Sequence, residues 1–111
     1  MDDTKYMNLA IKEGLKGLSA GEVPIGAVLT LDDFVIAIGH NTKETMNDPS
    51  GHAEIQVIKS ASKFLSRWRL TGCTLYVTIE PCPMCAGAIM GSRISRLVYG
   101  APNMPVSYTH L

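Results

Sequence analysis

Leu75 to Met90 has the sequence LYVTIEPCPMCAGAIM. Leu75 to Ile79 is short, apolar and rich in β-branched residues, which predicts a central, buried strand. Cys82 to Met90 predicts a helix, because Pro83 suits the first turn of one. Together they predict a strand that leads into a helix whose first turn carries a C-x-x-C pair.

An amphipathic helix is predicted near the N-terminus, upstream of this unit. Its apolar residues recur at helical spacing with charged residues between them, at Met7, Ala10, Ile11, Gly14, Leu15 and Leu18. Gly14 and Gly17 weaken this helix, and Gly21 is suited to end it. The pattern predicts a helix that covers one face of a sheet.

Two apolar runs, Ile25 to Leu31 and Phe34 to Gly39, flank Asp32-Asp33 and predict a β-hairpin. Phe34 to Ile38 lacks polar alternation, so we expect both of its faces to be covered. The polar, turn-rich residues from Asn41 to Gly51 then predict a loop.

A second helix is predicted from His52 to Leu65, with Asp48 or Ser50 as its N-cap. Leu97 to Tyr99 predicts a further short strand. The order α-β-β-α-β-α-β predicts an α/β fold whose sheet is covered on both faces, with no internal repeat and no linker.

The C-terminal end shows no clean periodicity from Ala101 onwards, and Pro102 and Pro105 interrupt any regular element. We therefore expect one domain over residues 1–103 and an unmatched tail over residues 104–111 that is either disordered or foreign. A length of 111 residues allows one core and not two.

The composition excludes some classes of protein. Hydrophobic residues make up 46% of the chain, too many for a disordered protein, and no apolar run reaches the roughly 18 residues that span a bilayer. The N-terminus lacks a signal-peptide pattern, which predicts a cytoplasmic protein. The net charge is zero, but residues 55–111 hold six basic residues and one acid, a distribution that either marks a nucleic-acid face or reflects ordinary solvated charges.

Three cysteines are an odd number, so a disulfide framework is not indicated. Cys82 and Cys85 lie three residues apart at a predicted helix N-terminus, where the helix dipole favours thiolates. His52 begins another helix, and these three side chains would leave a fourth zinc position open to water, as in catalytic sites. Two thiolates and an imidazole cancel the charge of the ion, so a nearby base is needed, and Glu54 is the candidate.

Each of these residues alone has a plainer interpretation. A C-x-x-C pair also suits a redox centre or half of a structural zinc site, in which Cys73 would be the spare ligand. Glu54 alone suits a first-turn acid. The combination of H-x-E with P-C-x-x-C is, however, the established signature of zinc-dependent deaminases, and we predict that Cys73 is only a small buried residue.

Beyond these motifs, residues from about Tyr6 to Asn103 resemble the zinc-dependent cytidine and deoxycytidylate deaminase superfamily. Within it they most resemble the bacterial tRNA-specific adenosine deaminases. The resembling runs are Gly21 to Val28 (GEVPIGAV), His52 to Ile55 (HAEI), Leu75 to Ala88 (LYVTIEPCPMCAGA) and Arg96 to Ala101 (RLVYGA).

The resemblance implies a three-layer α/β/α sandwich with a mixed central sheet, a homodimer, and hydrolytic deamination of adenosine to inosine at the wobble position of a tRNA anticodon by zinc-activated water. It implies one Zn²⁺ per chain and a proton shuttle. The residues that match the family's site are His52, Cys82 and Cys85 for zinc, Glu54 for proton transfer, and Asn41, Ala53, Ile25 and Ile79 for the base.

The chain departs from the family after Asn103. The family continues with another strand and further helices, whereas Pro105 to Leu111 matches none of it, so we expect a chain truncated at its C-terminus whose last residues are foreign. Two other functions stay open: a deaminase of a free base or nucleoside such as guanine, and a zinc-binding remnant without turnover. If the substrate is a tRNA, the basic residues expected to contact its phosphates are Lys59, Lys63, Arg67 and Arg69.

Overall fold

The computed structural model describes residues 2–101 and 104–110, with side chains described up to residue 100. Three helices and four strands follow one another in the predicted order, and a fifth strand comes after them. They are α1 (Asp3–Leu18), β1 (Gly26–Leu31), β2 (Phe34–His40), α2 (Ala53–Leu65), β3 (Cys73–Val77), α3 (Pro83–Gly91), β4 (Arg96–Ala101) and β5 (Met104–His110).

The five strands form one mixed sheet in the order β2-β1-β3-β4-β5. β1 pairs antiparallel with both β2 and β3, β3 pairs parallel with β4, and β4 pairs antiparallel with β5. The chain passes from β3 to its parallel neighbour β4 through α3, because parallel strands need a long crossover connection, which is usually a helix. The predicted mixed sheet is confirmed.

Helices cover both faces of the sheet, because successive strand residues point to opposite sides. Val28, Tyr76 and Val98 pack against α1. Leu29 and Leu75 belong to the larger core on the other face, which also contains residues of α2 and α3. The predicted three-layer α/β/α architecture is therefore confirmed.

The C-terminal prediction needs correction. Residues 104–111 were expected to form a disordered tail, but Met104–His110 forms β5 along the outer edge of β4. β-branched and aromatic residues in this segment favour extended backbone, and an outermost strand tolerates Pro105. Residues 102, 103 and 111, and with them the predicted domain boundary, lie outside the described residues, and the foreign origin of the segment stays a prediction.

The prediction that both faces of β2 are covered is wrong. Phe34 is 70% exposed, and Val35 and Ile38 are exposed as well, whereas Ala37 is buried. The physical reason is that β2 is the edge strand of the sheet, beside β1 alone.

Glycines set how α1 contacts the sheet. A Cβ atom on Gly26 would lie 2.0 Å from the carbonyl oxygen of Ala10, and one on Gly14 would lie 2.8 Å from the amide nitrogen of Gly26. The backbones of α1 and β1 are therefore in direct contact. Because this contact turns the glycine side of the helix inward, Ile11, Leu15 and Leu18 of the predicted inner face are exposed.

The first turn of α1 is attached to the middle of the sheet by Asp3. Its carboxylate accepts hydrogen bonds from the Tyr76 hydroxyl at 2.6 Å and from Nη1 and Nη2 of Arg96 at 2.7 and 2.5 Å. The Arg96 hydrogen bond lowers the pKa of Asp3. This group joins α1 to β3 and β4, and thereby fixes the layer opposite α2 and α3.

Candidate metal and catalytic site

The site lies where α2 and α3 begin. His52 is the N-cap of α2 and Cys82 is the N-cap of α3, each with extended backbone, and Pro83 occupies the first helical turn as predicted. Neither N-cap side chain makes a capping hydrogen bond to its own helix. The imidazole and the thiol are therefore not used as caps of α2 and α3.

The predicted cap of α2 by Asp48 or Ser50 is wrong. The carboxylate of Asp48 instead accepts hydrogen bonds from the amide and hydroxyl of Ser50, at 2.9 and 2.7 Å. A short acidic side chain commonly closes its own turn in this way. The N-cap position is consequently left to His52.

The structure brings together the three predicted metal ligands. Nδ1 of His52 lies 3.6 Å from Sγ of Cys82 and 3.4 Å from Sγ of Cys85, and all three atoms lie within 4.8 Å of one another. Nitrogen and sulfur ligands of one tetrahedral zinc ion are separated by about 3.5 Å, given the usual bond lengths. The donor set and its spacing therefore fit a zinc ion.

Cys73 is outside this cluster. It lies in β3, is fully buried, and has a pKa that burial raises. Among the residues that the structure describes, the metal-ligand cluster has three members, the number that a catalytic zinc site takes from protein. The prediction that Cys73 is a small buried core residue is confirmed.

Glu54 is in the first turn of α2, two residues after His52, and only 3% of it is exposed. Burial raises its pKa, and its carboxyl group is hydrogen-bonded to the side chain of Cys85. A buried carboxyl group with a raised pKa beside a ligand cluster has the properties of a general acid/base.

The thiol of Cys85 is in the same environment. Burial raises its pKa, and the nearby Glu54 carboxylate raises it further. Because a metal binds the thiolate, loading this site with a dication must release protons.

Two of the residues predicted to contact a base lie beside each other. The amide of Asn41 donates to the carbonyl of Ile25 at 3.1 Å, and Asn41 is buried while Ile25 is half-buried. The Oδ1 atom of Asn41 accepts from the amide of Lys43 at 3.0 Å, so this side chain also closes its own turn.

Ala53 and Ile79, the other two residues predicted to contact a base, lie in different surroundings. Ala53 is fully buried and lies between His52 and Glu54 in the chain, so its backbone borders the site. Ile79 was expected inside a strand, but β3 ends at Val77 and Ile79 lies in the bend that follows, half-buried. Contact of any of these four residues with a base stays a prediction.

The basic residues predicted to contact phosphates lie away from the cluster. Lys59, Lys63, Arg67 and Arg69 are exposed and occupy the later part of α2 and the segment after it. A helix of 13 residues is about 20 Å long, so the end of α2 is far from His52. Their role stays a prediction.

Glu22 is a buried residue near the candidate site that no sequence pattern predicted. This acid is buried, in the turn between α1 and β1, and hydrogen-bonds to the loop that begins with Asn41. The GEVP sequence also suits an exposed turn, so no local pattern distinguishes a buried Glu22 from an exposed one.

Comparison with known proteins places the chain among deaminases. Residues 1–107 match the MafB19-like deaminase family. The tRNA-specific adenosine deaminase of Bacillus subtilis is 54% identical over 99 residues, which cover 89% of this chain and 62% of that protein. The tRNA-specific adenosine deaminase of Buchnera aphidicola is 48% identical over 99 residues, which cover 89% of this chain and 61% of that protein. This chain thus spans less than two thirds of the length of these relatives.

Solved structures agree with the fold. One, from a study of A-to-I editing by tRNA:A34 deaminases at the wobble position of transfer RNA, has a TM-score of 0.86 and 52% identity, covering 88% of this chain and 75% of that one. The guanine deaminase of Bacillus subtilis has a TM-score of 0.88 and 40% identity, covering 91% of this chain and 65% of that one. Sequence and structure together assign this chain to the MafB19-like deaminase family.

Proposed function

We propose that this protein hydrolyses adenosine to inosine at the wobble position of a tRNA anticodon, with zinc as its cofactor. The observation that carries this proposal is the cluster of His52, Cys82 and Cys85 with the buried carboxyl group of Glu54 beside it. The identity to tRNA-specific adenosine deaminases supports the substrate.

We propose that Nδ1 of His52 and the sulfur atoms of Cys82 and Cys85 hold one Zn²⁺ per chain. When bound, zinc supplies an activated water at the target base. The two helix N-termini add positive dipole ends near the sulfur atoms, which opposes in part the burial that raises the pKa of Cys85, and a bound metal would hold the thiolates deprotonated.

Glu54 then carries the protons of the reaction. Its carboxylate takes a proton from the attacking water and delivers it to N1 of adenine, while the water oxygen bonds to C6. Glu54 then moves the second proton of that water to the C6 amino group, so that the C6–N bond breaks and ammonia leaves. Adenosine and one water are thereby converted to inosine and ammonia.

Asn41, Ala53, Ile25 and Ile79 are the proposed contacts of the base. The target base must leave its stack to reach a buried carboxyl group, which suits an anticodon loop better than a duplex. Lys59, Lys63, Arg67 and Arg69 are proposed to contact phosphates outside the pocket.

A second candidate is deamination of free guanine, which the 40% identity to a guanine deaminase favours. Ammonia release from an anticodon stem-loop and from guanine, measured with the same zinc-loaded protein, separates the two. Release from the stem-loop with none from guanine is expected. Release from guanine alone would replace the first proposal, and release from neither would support a deaminase remnant without turnover.

The assembly and location are proposed on the resemblance alone. We propose a homodimer in the cytoplasm. Sedimentation of the zinc-loaded protein tests the assembly, and a single species of monomer mass would contradict it. No helix within the described residues is long and apolar enough to span a membrane.

A further inference from the structure

Glu22 is an acid that the proposed chemistry does not use. It lies between α1 and β1, and only 3% of it is exposed. No lysine, arginine or histidine forms a salt bridge with it among the residues that the structure describes. A buried carboxylate without an ion pair is stabilised mainly by hydrogen bonds, and for Glu22 the nearby His40 adds a smaller electrostatic contribution.

All of those hydrogen bonds come from one loop. The carboxylate of Glu22 accepts from the amide of Glu44 at 3.1 Å and from both the amide and the hydroxyl of Thr45. The Thr45 hydroxyl is the largest cause of the lowered pKa of Glu22, so the carboxylate is the form that this loop stabilises. Hydrogen bonds to an ionised acceptor are about twice as strong as neutral ones.

The same loop carries Asn41 and ends beside the metal cluster. The amide of Thr42 donates to the carbonyl of Gly51 at 2.8 Å, and Nε2 of Gln56 donates to the Thr42 hydroxyl at 3.0 Å. These bonds tie the base of the loop to the segment that leads into His52 and to α2. Glu22 holds its middle.

The start of the loop is also attached to α1. Nδ1 of His40, the residue before Asn41, lies 2.8 Å from Oε2 of the buried Glu13. Asn41 therefore has one anchored neighbour on each side, and Glu22 is the only acid among the described residues that hydrogen-bonds to the backbone amides of residues 44 and 45.

We propose that Glu22 is a positioning residue for substrate binding. By holding Glu44 and Thr45 it fixes the loop over residues 41–51, and with it the Asn41 side chain, which is one of the proposed contacts of the base. This inference rests on the proposed function for its effect on the substrate. The effect on the loop does not depend on it.

The central variant is Glu22→Gln, which keeps size and shape but turns an NH₂ group toward amides that are themselves donors. Hydrogen exchange of the Glu44 and Thr45 amides in the zinc-loaded protein, with no substrate, is expected to accelerate by about tenfold. Glu44→Gln is the matched control, because its side chain is exposed and only its backbone takes part. It should leave the exchange of Thr45 unchanged.

The second measurement uses an anticodon stem-loop. Glu22→Gln is expected to raise KM by about tenfold with a smaller fall in kcat and with zinc content unchanged, since misplaced binding groups weaken substrate binding first. Glu22→Asp, which retains the charge, should recover part of this loss. Thr45→Val should raise KM as well, and the double variant should be no worse than Glu22→Gln alone.

The outcomes separate the two proposals. Unchanged amide exchange in Glu22→Gln overturns the positioning role, whatever the substrate is. Accelerated exchange together with an unchanged KM overturns the link to substrate. A wild-type protein that does not act on the stem-loop contradicts the proposed function, while the exchange experiment still decides whether Glu22 holds the loop.

Discussion

The two helical layers contact the sheet in different ways. On the α2 and α3 face, both helices begin with candidate metal-ligand side chains, and Glu54 is buried in the first turn of α2. On the α1 face, Gly14 and Gly26 bring two backbones into contact and Asp3 attaches the helix to the sheet. One layer therefore contains the candidate site and the other attaches to the sheet through close backbone contact, and substitutions in the two layers should have different effects.

The largest expected effect is on the chemical layer. Glu54→Gln removes the proton carrier while retaining the shape of the side chain, so the deamination rate should fall by about 10²–10⁴-fold. Zinc per chain, measured by elemental analysis, should not change. Glu80→Gln is the matched control, because Glu80 is an exposed acid next to the second motif. A Glu54→Gln variant with more than about a hundredth of wild-type activity would contradict the assigned role.

The next effect concerns metal binding. Cys85→Ser should lose most of its zinc, whereas Cys73→Ser should keep it, because Cys73 is outside the cluster. Zinc at a hundred times its Kd stabilises the folded state by about 3 kcal/mol, and Cys85→Ser should lose that increment. Metal content and thermal unfolding with and without added zinc measure both. Loss of zinc from Cys73→Ser would indicate a closed, four-ligand site.

In the supporting layer, Gly26→Ala should lower stability without changing the zinc ligands. The added Cβ would lie 2.0 Å from the carbonyl oxygen of Ala10, so α1 must move away, at a cost of about 1–3 kcal/mol. Gly87→Ala in α3 has no atom within 4 Å of its new Cβ and should raise stability by up to about 1 kcal/mol. Urea unfolding of both variants is the measurement. Equal stability of the two would show that the close contact is absent in solution.

The smallest effect is electrostatic. The pKa of Asp3 is lowered in the folded state, first of all by Arg96. The ionised carboxylate therefore stabilises the folded state above the unfolded pKa of about 4, and this stabilisation is lost as the pH falls through the lower folded value. Because the pair is partly exposed, Asp3→Asn should cost about 1 kcal/mol at neutral pH and remove this part of the acid sensitivity. Urea midpoints between pH 2 and pH 7, compared with Asp32→Asn, test this. A wild-type and an Asp3→Asn protein with parallel pH profiles would contradict it.

The chemical layer was easier to predict from sequence than the supporting one. Pro83 and the H-x-E motif located the starts of α3 and α2 to within one residue. The end of β3 was missed by two residues, because Thr78 and Ile79 continue its β-branched pattern although the chain already bends there. A β-branched pattern predicts that a segment is extended, but it does not predict where the strand ends and the chain turns toward Pro81.

Predictions that depend on tertiary arrangement were wrong for a common reason. The apolar stripe of Ile11, Leu15 and Leu18 looks like an inner face, but the glycines decided which side of α1 meets β1. Phe34 looks like a core residue until the strand order leaves β2 at an edge. In each case the deciding partner is distant in the sequence.

The absence of side-chain caps on α2 and α3 has a thermodynamic consequence. A Ser, Thr, Asp or Asn side chain at such a position would stabilise each helix start by about 1 kcal/mol, and His52 and Cys82 forgo that contribution. Removal of the metal by a chelator should therefore first fray the opening turns of α2 and α3, before the sheet loosens. A bound ion would hold the starts of both helices together, so that metal binding and the last step of folding become coupled.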